Sequence, residues 1–508
     1  MSGGASSPET ASADVAVRDM LNIGMGLHRQ GNTQAADAIY REVLARDPGN
    51  AAAGHLLGVL AVQGGRFQEA VERISAAMAR QPDVAEMHVN RGAALVGLEA
   101  FEAALADYDR ALALRPDLQQ AHHQRADALQ ALGRLEEAFA AYEAAVGLNP
   151  SVAVAWFNRG GVLRQLRRIG EAIESYDRAI ALKPDFAMAH HNRAICLMTA
   201  GRLTEGLAEY EWRKRCPDAE QGRDYAQPAW TGAQDLAGRT LYIWPELFLG
   251  DMVQFCRYAR LAEARGARVV MSAPRALHGL LRTLSPTIEL GDPQAPPAAF
   301  DYHCALMSLP LAFGAGAHPP PAEPAYLAAE PDRVARWRER LGTGGFRIGV
   351  CWQGSTAAYS RPMQRSFPLR ALAGIARLPG VRLISLQKHD GLDQLGDLPP
   401  GMVVETLGED FDAGADAFLD TAAVIANCDL VVSADTATAH VAGALGARTW
   451  VPLPFTPDWR WGLEGSTSPW YPSLHLFRQS AQGDWADPLS DMESELSAWP
   501  SRRGGGNA

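Results

Sequence analysis

Cysteine is scarce and scattered in this chain. Its six copies, Cys196, Cys216, Cys256, Cys304, Cys351 and Cys428, form no C-x-x-C pair, and no histidine stands at metal-ligand spacing. A disulfide framework and a cysteine-based metal site are therefore not expected, and the thiols read as reduced and mostly buried in a cytoplasmic protein. Basic charge is also in short supply: 47 Lys and Arg face 58 Asp and Glu, for a net charge of −11. A nucleic-acid partner, whose affinity comes largely from cations neutralising phosphates, is not expected either. Apolar runs long enough to span a bilayer are missing, and the opening MSGGASSPETASADVA has neither the basic start nor the apolar stretch of a signal peptide. Neither G-x-G-x-x-G nor a P-loop occurs, which weakens dehydrogenase and nucleoside-triphosphatase readings.

What is present begins with length. At 508 residues the chain exceeds what one hydrophobic core usually supports, so two or three domains are expected. Pro48, Pro82, Pro116, Pro150 and Pro184 close successive helical segments and stand 34 positions apart, the period of the tetratricopeptide repeat. Small residues keep that register where two helices must approach. One column is Gly24, Gly58, Gly92, Ala126, Gly160 and Ala194; the other is Ala36, Ala70, Ala104, Ala138, Ala172 and Gly206. An aromatic recurs at Tyr40, Tyr108, Tyr142, Tyr176 and Tyr210, with Ile74 as the exception. Six helical hairpins are predicted over residues 17–218, stacked as a right-handed superhelix behind a disordered tail at 1–16.

Two positions before each member of the first small column stand Asn22, Leu56, Asn90, Gln124, Asn158 and Asn192. In such repeats this place faces the concave groove. A carboxamide offers both a donor and an acceptor, so a ladder of them can pair with an extended peptide backbone whatever its side chains. The ladder resembles the one inside the repeat superhelix of O-GlcNAc transferases, and it makes Asn90, Gln124, Asn158 and Asn192 candidate contacts for a protein partner. Asparagine is also simply common here, so a purely structural role stays open.

After residue 218 a polar, turn-rich linker, 219–238, leads into short β runs alternating with amphipathic helices. RTLYIWPE, helix DMVQFCRYARLAEARG, strand ARVVMSAP and helix RALHGLLRTL open a first lobe over 239–343, which ends in a Pro- and Ala-rich stretch. A second series starts at FRIGVCWQG and continues through PLRALAGIARLP, VRLISLQKH, MVVETLG, DAFLDTAAVIANC, DLVVSAD, TATAHVAGALG and ARTWVPLP. It fills 344–498, before a disordered tail at 499–508. Such alternation implies parallel sheets covered on both faces, with ligands bound beyond the carboxyl ends of the strands. The expected fold class is α plus α/β: a tetratricopeptide superhelix, then two Rossmann-like lobes with a cleft between them, as in GT-B glycosyltransferases.

In DLVVSADTATAHVAGALG an apolar run stops at Asp435, and Thr436 and Ala437 open a small-residue helix whose free amides suit a phosphate. His440 follows in or just beyond the first turn. The positive helix end disfavours imidazolium, so a neutral hydrogen-bond donor is expected. Asp435 would repel phosphate and fits a helix cap or a grip on sugar hydroxyls. Taken by itself, His440 reads equally well as a packed, hydrogen-bonded histidine at a helix start.

DTATAHVAGALG resembles the D-T-G-x-x-H-x-A-A-x-x-G signature of the heptosyltransferase-like glycosyltransferases, family 9. LFLGDMVQFCRY resembles that superfamily's first-strand loop, where a G-D pair opens a helix. The likeness covers almost the whole second half and is closest to bacterial proteins that fuse repeats to this domain. It implies an inverting transferase that uses a nucleotide-sugar donor, with no metal and no cofactor. By the resemblance, Asp251 is the general base that deprotonates the acceptor hydroxyl, and His440 serves the donor; an N-cap is the structural alternative for Asp251. Arg365, in RSFP, falls on a phosphate-binding element. Gln387 and Lys388, in SLQKH, lie at the same edge, and Trp352 and Gly354, in CWQG, beside base or ribose. Three departures from the family pattern are Ala437, Phe248 and Ser355; they either reshape the pocket or mark a weakened site.

The implied function is protein O-glycosylation, in which the repeats hold a polypeptide while the second half moves a sugar to Ser or Thr. Bacterial flagellin glycosyltransferases of this arrangement suggest flagellin as acceptor and a CMP-activated nonulosonic acid as donor. Two other readings stay open: a transferase acting on a glycan or lipid-linked sugar, and a non-catalytic repeat adaptor with a degenerate domain.

Overall fold

The computed structural model describes residues 8–217, 223, 225–246, 248–314, 325–356, 365–414 and 417–499, with side chains from residue 15 onward. The chain divides into two compact units at Asp185 and Phe186. No helix among the described residues is long and apolar enough to cross a membrane.

The first unit is a stack of helical hairpins, from Pro8–Arg29 with Thr33–Arg46 to Ala153–Gln165 with Ile169–Leu182. Its period arises from one packing device. A Cβ on Gly24 would lie 2.5 Å from the Tyr40 ring, on Gly92 2.5 Å from Tyr108 and on Gly160 2.8 Å from Tyr176. Where the aromatic is missing, Gly58 faces Ile74 in the same way, at 2.4 Å. Three of the closing prolines leave a carbonyl that a ring nitrogen six residues later meets: His88 for Pro82, His122 for Pro116 and Trp156 for Pro150, at 3.0, 2.9 and 2.9 Å. The tail expected at 1–16 is shorter than predicted, because the first helix already begins at Pro8. Proline is at home in a helix's first turn, and the Ala- and Val-containing residues after it favour helix. Residues 1–7 lie outside the described residues.

The second unit starts with the sixth hairpin, Ala187–Thr199 and Leu203–Tyr210. Met198 and Leu207 of this hairpin belong to the same buried core as Ile243, Met252 and Val451 of the α/β part. The last repeat therefore shares its period with the array and its core with the sheets.

A four-stranded sheet follows in the order β3-β2-β1-β4, from β1 (Thr240–Trp244), β2 (Arg268–Ser272), β3 (Glu289–Gly291) and β4 (Tyr302–Ala305). The second sheet has six strands, β5 (Phe346–Cys351), β6 (Val381–Ser385), β7 (Val404–Glu405), β8 (Leu430–Ser433), β9 (Thr449–Leu453) and β10 (Leu474–Arg478), in the order β10-β9-β8-β5-β6-β7. Every pairing within both sheets is parallel, and β8 and β9 are buried along their whole length. That agrees with the near-continuous apolar runs read from the sequence.

Several elements differ from expectation. The helix predicted over 251–266 is two, Leu249–Phe255 and Arg257–Ala264. The Val253 carbonyl accepts from the Tyr326 hydroxyl at 2.8 Å and the Gln254 carbonyl from Arg257 Nε at 2.8 Å, which interrupts the helical ladder. The Pro- and Ala-rich stretch contains β4, while residues 315–324 lie outside the described residues. PLRALAGIARLP makes only short turns, Leu369–Leu372 and Ala373–Ala376. Trp499, assigned to the tail, packs its ring on Phe346 and Trp450; residues 500–508 lie outside the described residues.

The Gly–Tyr contacts make a direct prediction. Gly92→Val forces a branched side chain into the fully buried Tyr108 ring and is expected to destabilise the first unit by about 1–3 kcal/mol, read as a lower urea midpoint. A wild-type midpoint would refute the packing argument.

Candidate functional site

In both sheets the strand order reverses beside the first strand, because β1 lies between β2 and β4, and β5 between β6 and β8. A crevice at such a switch point, beyond the strands' carboxyl ends, is where ligands bind in open parallel sheets. After β1 come Glu246 and then Gly250 and Asp251 in the first turn of helix Leu249–Phe255; the loop after β5 carries Gly354; and β8 runs into Asp435 and Thr436.

The two motifs singled out in the sequence meet. Helix Leu249–Phe255 packs on helix Ala437–Ala444, and Gly250 faces His440: a Cβ there would lie 2.8 Å from His440 Cδ2. Glycine is thus required at 250 by the histidine opposite. The N-cap position of that helix is Phe248, so Asp251 sits in the first turn and is not its cap.

Asp251 is nearly buried, and Arg460 Nη2 donates to its Oδ1 at 2.5 Å. The same guanidinium donates through Nη1 to Asp458 Oδ1 at 2.8 Å. Burial pushes the Asp251 carboxyl up to about 6; Arg460 pulls against this, Asp458 and Glu246 add to it, and Arg365 opposes it. A carboxylate titrating there can accept a proton near neutral pH.

His440 is 6 % exposed. Its Nδ1 shares a 2.9 Å hydrogen bond with the Tyr471 hydroxyl, and its ring stacks on Trp461 at 5.5 Å. Burial, reinforced by Arg460, Arg257 and Arg365, holds its pKa well below the usual imidazole range, so the ring is neutral at neutral pH. The histidine is packed on one edge, while its Nε2 edge lies toward Gly250.

Asp435 does not cap the following helix. Thr436 is the N-cap residue, with extended backbone and no side-chain cap bond, which leaves the first amides without a side-chain cap. Ala437 is the helix's first residue, where ordinary helical angles suit alanine, so this departure from the family's Gly costs no backbone strain. Asp435 is 2 % exposed, and among the described residues neither its Oδ2 nor Trp461 Nε1 has a hydrogen-bond partner. Burial raises the Asp435 pKa, with Arg365 and Arg460 opposing and Asp458 adding to it. Arg365 is half-buried and makes no ion pair or hydrogen bond among the described residues, while its charge acts on Asp251, Asp435 and His440. Gly354 lies beside Thr436, its would-be Cβ 3.6 Å from Thr436 Cγ2, and its amide donates to Ser366 Oγ at 3.1 Å.

Three assignments need correction. Trp352 is fully buried in the core, with its indole N–H on the Gly391 carbonyl at 3.1 Å, so its ring cannot face a base. Gln387 clamps loops: its Oε1 accepts from the amides of Trp352 and Gln353, and its Nε2 donates to the carbonyls of Gln353 and Asp390. Lys388 donates to the Phe411 carbonyl instead of standing free at the strand edge. What sequence reading missed is the turn Trp459–Trp461, with Asp458 and Arg460, and Tyr471. A usable signal was there in PDWRW, an acid and an arginine among aromatics directly after β9.

On the repeat side, Asn90 Nδ2 pairs with His55 Nε2 at 2.8 Å, and Asn158 Nδ2 reaches Asp127 Oδ1 at 3.3 Å and His123 Nε2 at 3.4 Å. Gln124 Oε1 is buried without a partner. Asn192 is half-buried and lies in the second unit, on helix Ala187–Thr199. The ladder residues are thus partly engaged with one another's repeats.

Comparison with known proteins reaches the repeats first. Residues 27–89, and residues 123–185 and 162–220, match the tetratricopeptide repeat. Protein FlbA of Caulobacter vibrioides is 30% identical over 298 residues, which is 53% of this chain and 48% of the relative. The chain therefore spans about half the length of the curated relative it matches. Among solved structures, Pseudomonas aeruginosa PilF is 20% identical with a TM-score of 0.38, covering 40% of this chain and 93% of that one. YrrB, described as a tetratricopeptide-repeat protein with an unusual peptide-binding site, is 25% identical with a TM-score of 0.31, covering 35% of this chain and 96% of that one. The first part of the chain carries tetratricopeptide repeats, which indicates protein–protein interaction, and the second part is a parallel-sheet α/β structure.

Proposed function

We propose that this protein is an inverting, metal-independent glycosyltransferase of GT-B type that modifies Ser or Thr of a protein acceptor held by its repeats. The observation that carries the reading is the convergence at two sheet edges of a carboxylate titrating near 6, a helix start without a side-chain cap and an arginine that makes no ion pair or hydrogen bond among the described residues. The donor's phosphate takes the amides at Ala437 and Thr438 and the Arg365 guanidinium, so leaving-group charge is met by fixed donors. Asp251 removes the acceptor hydroxyl's proton as that oxygen bonds to the anomeric carbon and the carbon–phosphate-oxygen bond breaks on the opposite face. Neutral His440 offers its Nε2 edge for hydrogen bonding without adding charge. The resemblance to flagellin-modifying transferases favours flagellin as acceptor and a CMP-activated nonulosonic acid as donor.

Intact-mass analysis of candidate flagellins incubated with CMP-, UDP- and ADP-sugars tests this directly, one sugar increment being expected. Transfer only to a free glycan would overturn the protein-acceptor reading. Asp251→Asn is expected to lower kcat by about 10²-fold or more. Only the ionised carboxylate accepts a proton, so wild-type kcat/KM should rise with pH through about 6 and level off above it. A flat profile across that range would remove Asp251 as the base.

The ladder has its own test. Replacing Asn90, Gln124 and Asn158 together with Ala removes several hydrogen bonds worth about 0.5–1.5 kcal/mol each, so the KM for protein acceptor should rise by about tenfold or more. Hydrolysis of the donor in the absence of acceptor should stay level; an unchanged acceptor KM would argue against peptide capture by these side chains.

A further inference from the structure

The sixth repeat supplies an arginine that no transferase motif includes. Arg213, in the turn Glu211–Arg215, is 9 % exposed and uses all five of its N–H donors. Nε and Nη2 fork onto Glu246 at 2.7 and 2.9 Å, and Nη2 also reaches Ser308 Oγ at 3.0 Å. Nη1 reaches Glu211 Oε1 at 2.8 Å and the Tyr210 carbonyl at 3.2 Å. The acceptors are equally engaged: Glu246 Oε2 takes the Met307 amide at 2.9 Å, and Glu211 takes Lys214 at 2.5 Å and Ser308 Oγ at 2.7 Å. A buried charge network this completely satisfied has one geometry.

Its position gives the network a consequence. Glu246 leaves β1 at the start of the loop that delivers Gly250 and Asp251. Arg213 also lies 4.8 Å over the Tyr210 ring, and Tyr210 is in electrostatic reach of both Asp251 and Arg460. Helix Ala187–Thr199 of the same hairpin packs on the turn that carries Arg460.

We propose that Arg213 is a positioning residue, which by gripping Glu246 fixes the loop after β1 and so holds the Asp251 carboxylate in line with the acceptor hydroxyl. This rests on the transferase reading. The charged and titratable groups facing Asp251 are Arg460 and Asp458 from the turn after β9, Glu246 from its own loop, Arg365, and Tyr210 from the repeat. Among them Glu246 is the one whose carboxylate Arg213 holds in a two-pronged grip.

Full-length R213Q, R213K, E246Q and R213Q/E246Q variants separate positioning from simple anchorage. R213Q is expected to lower kcat by about tenfold to a hundredfold, with acceptor KM within about twofold, and R213K, which keeps the charge but not the fork, should recover part of it. The double variant should lose no more than the worse single one. Because the Glu246 charge raises the Asp251 pKa, E246Q should move the acid limb below its wild-type position near 6. A rise in KM with kcat kept, losses that multiply, or an unmoved limb would overturn the proposal. Hydrogen exchange of the peptide covering residues 245–256 needs no substrate: faster exchange in R213Q supports the grip, and wild-type exchange overturns it even where no donor is turned over. Absence of transfer by the wild type, with exchange altered in R213Q, would fault the transferase reading and leave the grip standing.

Discussion

Keeping the Asp251 carboxylate out of water is the constraint around which the second unit is organised. A carboxylate this buried needs a cation within contact distance, and Arg460 provides it. Arg460 is shared with Asp458, so its compensation is incomplete and the carboxyl titrates near 6 instead of falling below its ordinary value. The difference corresponds to about 3 kcal/mol of disfavoured ionisation. Since the folded state binds this proton more tightly than the unfolded chain, the group's contribution to stability is lost as pH rises toward 6. The surrounding core supports that cost, and the result is a carboxyl that titrates near physiological pH, as the proposed base must.

The same accounting extends to Asp435, which among the described residues has no hydrogen bond on Oδ2 and has a raised pKa. Asp458 raises the pKa of both Asp251 and Asp435, while Arg460 and Arg365 oppose it. An anion bound at the helix start would add negative charge beside these carboxyls and favour their protonated forms. In the proposed function, phosphate binding and proton uptake are therefore linked. A neutral His440 belongs to this balance, because burial disfavours a charged ring and Arg460, Arg257 and Arg365 add repulsion to it.

What could be read beforehand was whatever repeats or runs. The hairpins were legible because each one restates the same small-to-large contact, down to Gly58 against Ile74 where the tyrosine is missing. The central strands were legible as apolar runs. Side-chain allegiance was not, because Trp352 and Gln387 sit beside the expected ligand edge while their polar atoms are spent on Gly391 and on loop backbone. Arg460 was invisible for a different reason: its partner Asp251 lies 209 positions away, and nothing in PDWRW states which carboxylate it will meet. The strand β4 was hidden by the prolines around it, although Tyr302 to Ala305 pair in register with β1.

The sixth repeat shows why periodicity and allegiance are separate properties. The period comes from contacts inside a hairpin, where a small residue meets a large one, as Gly24, Gly58, Gly92 and Gly160 do. Which body a hairpin joins depends on its outward faces, and here Met198 and Leu207 turn toward the sheets while Arg213 enters the loop after β1. A hairpin with that double character keeps the period of the array while the turn that follows it steadies the segment after β1. In the proposed reaction the Asp251 carboxylate is thus held by a grip formed inside the second unit, and attack on an anomeric carbon depends on such holding, because the reacting oxygens must lie in line to within a fraction of an ångström.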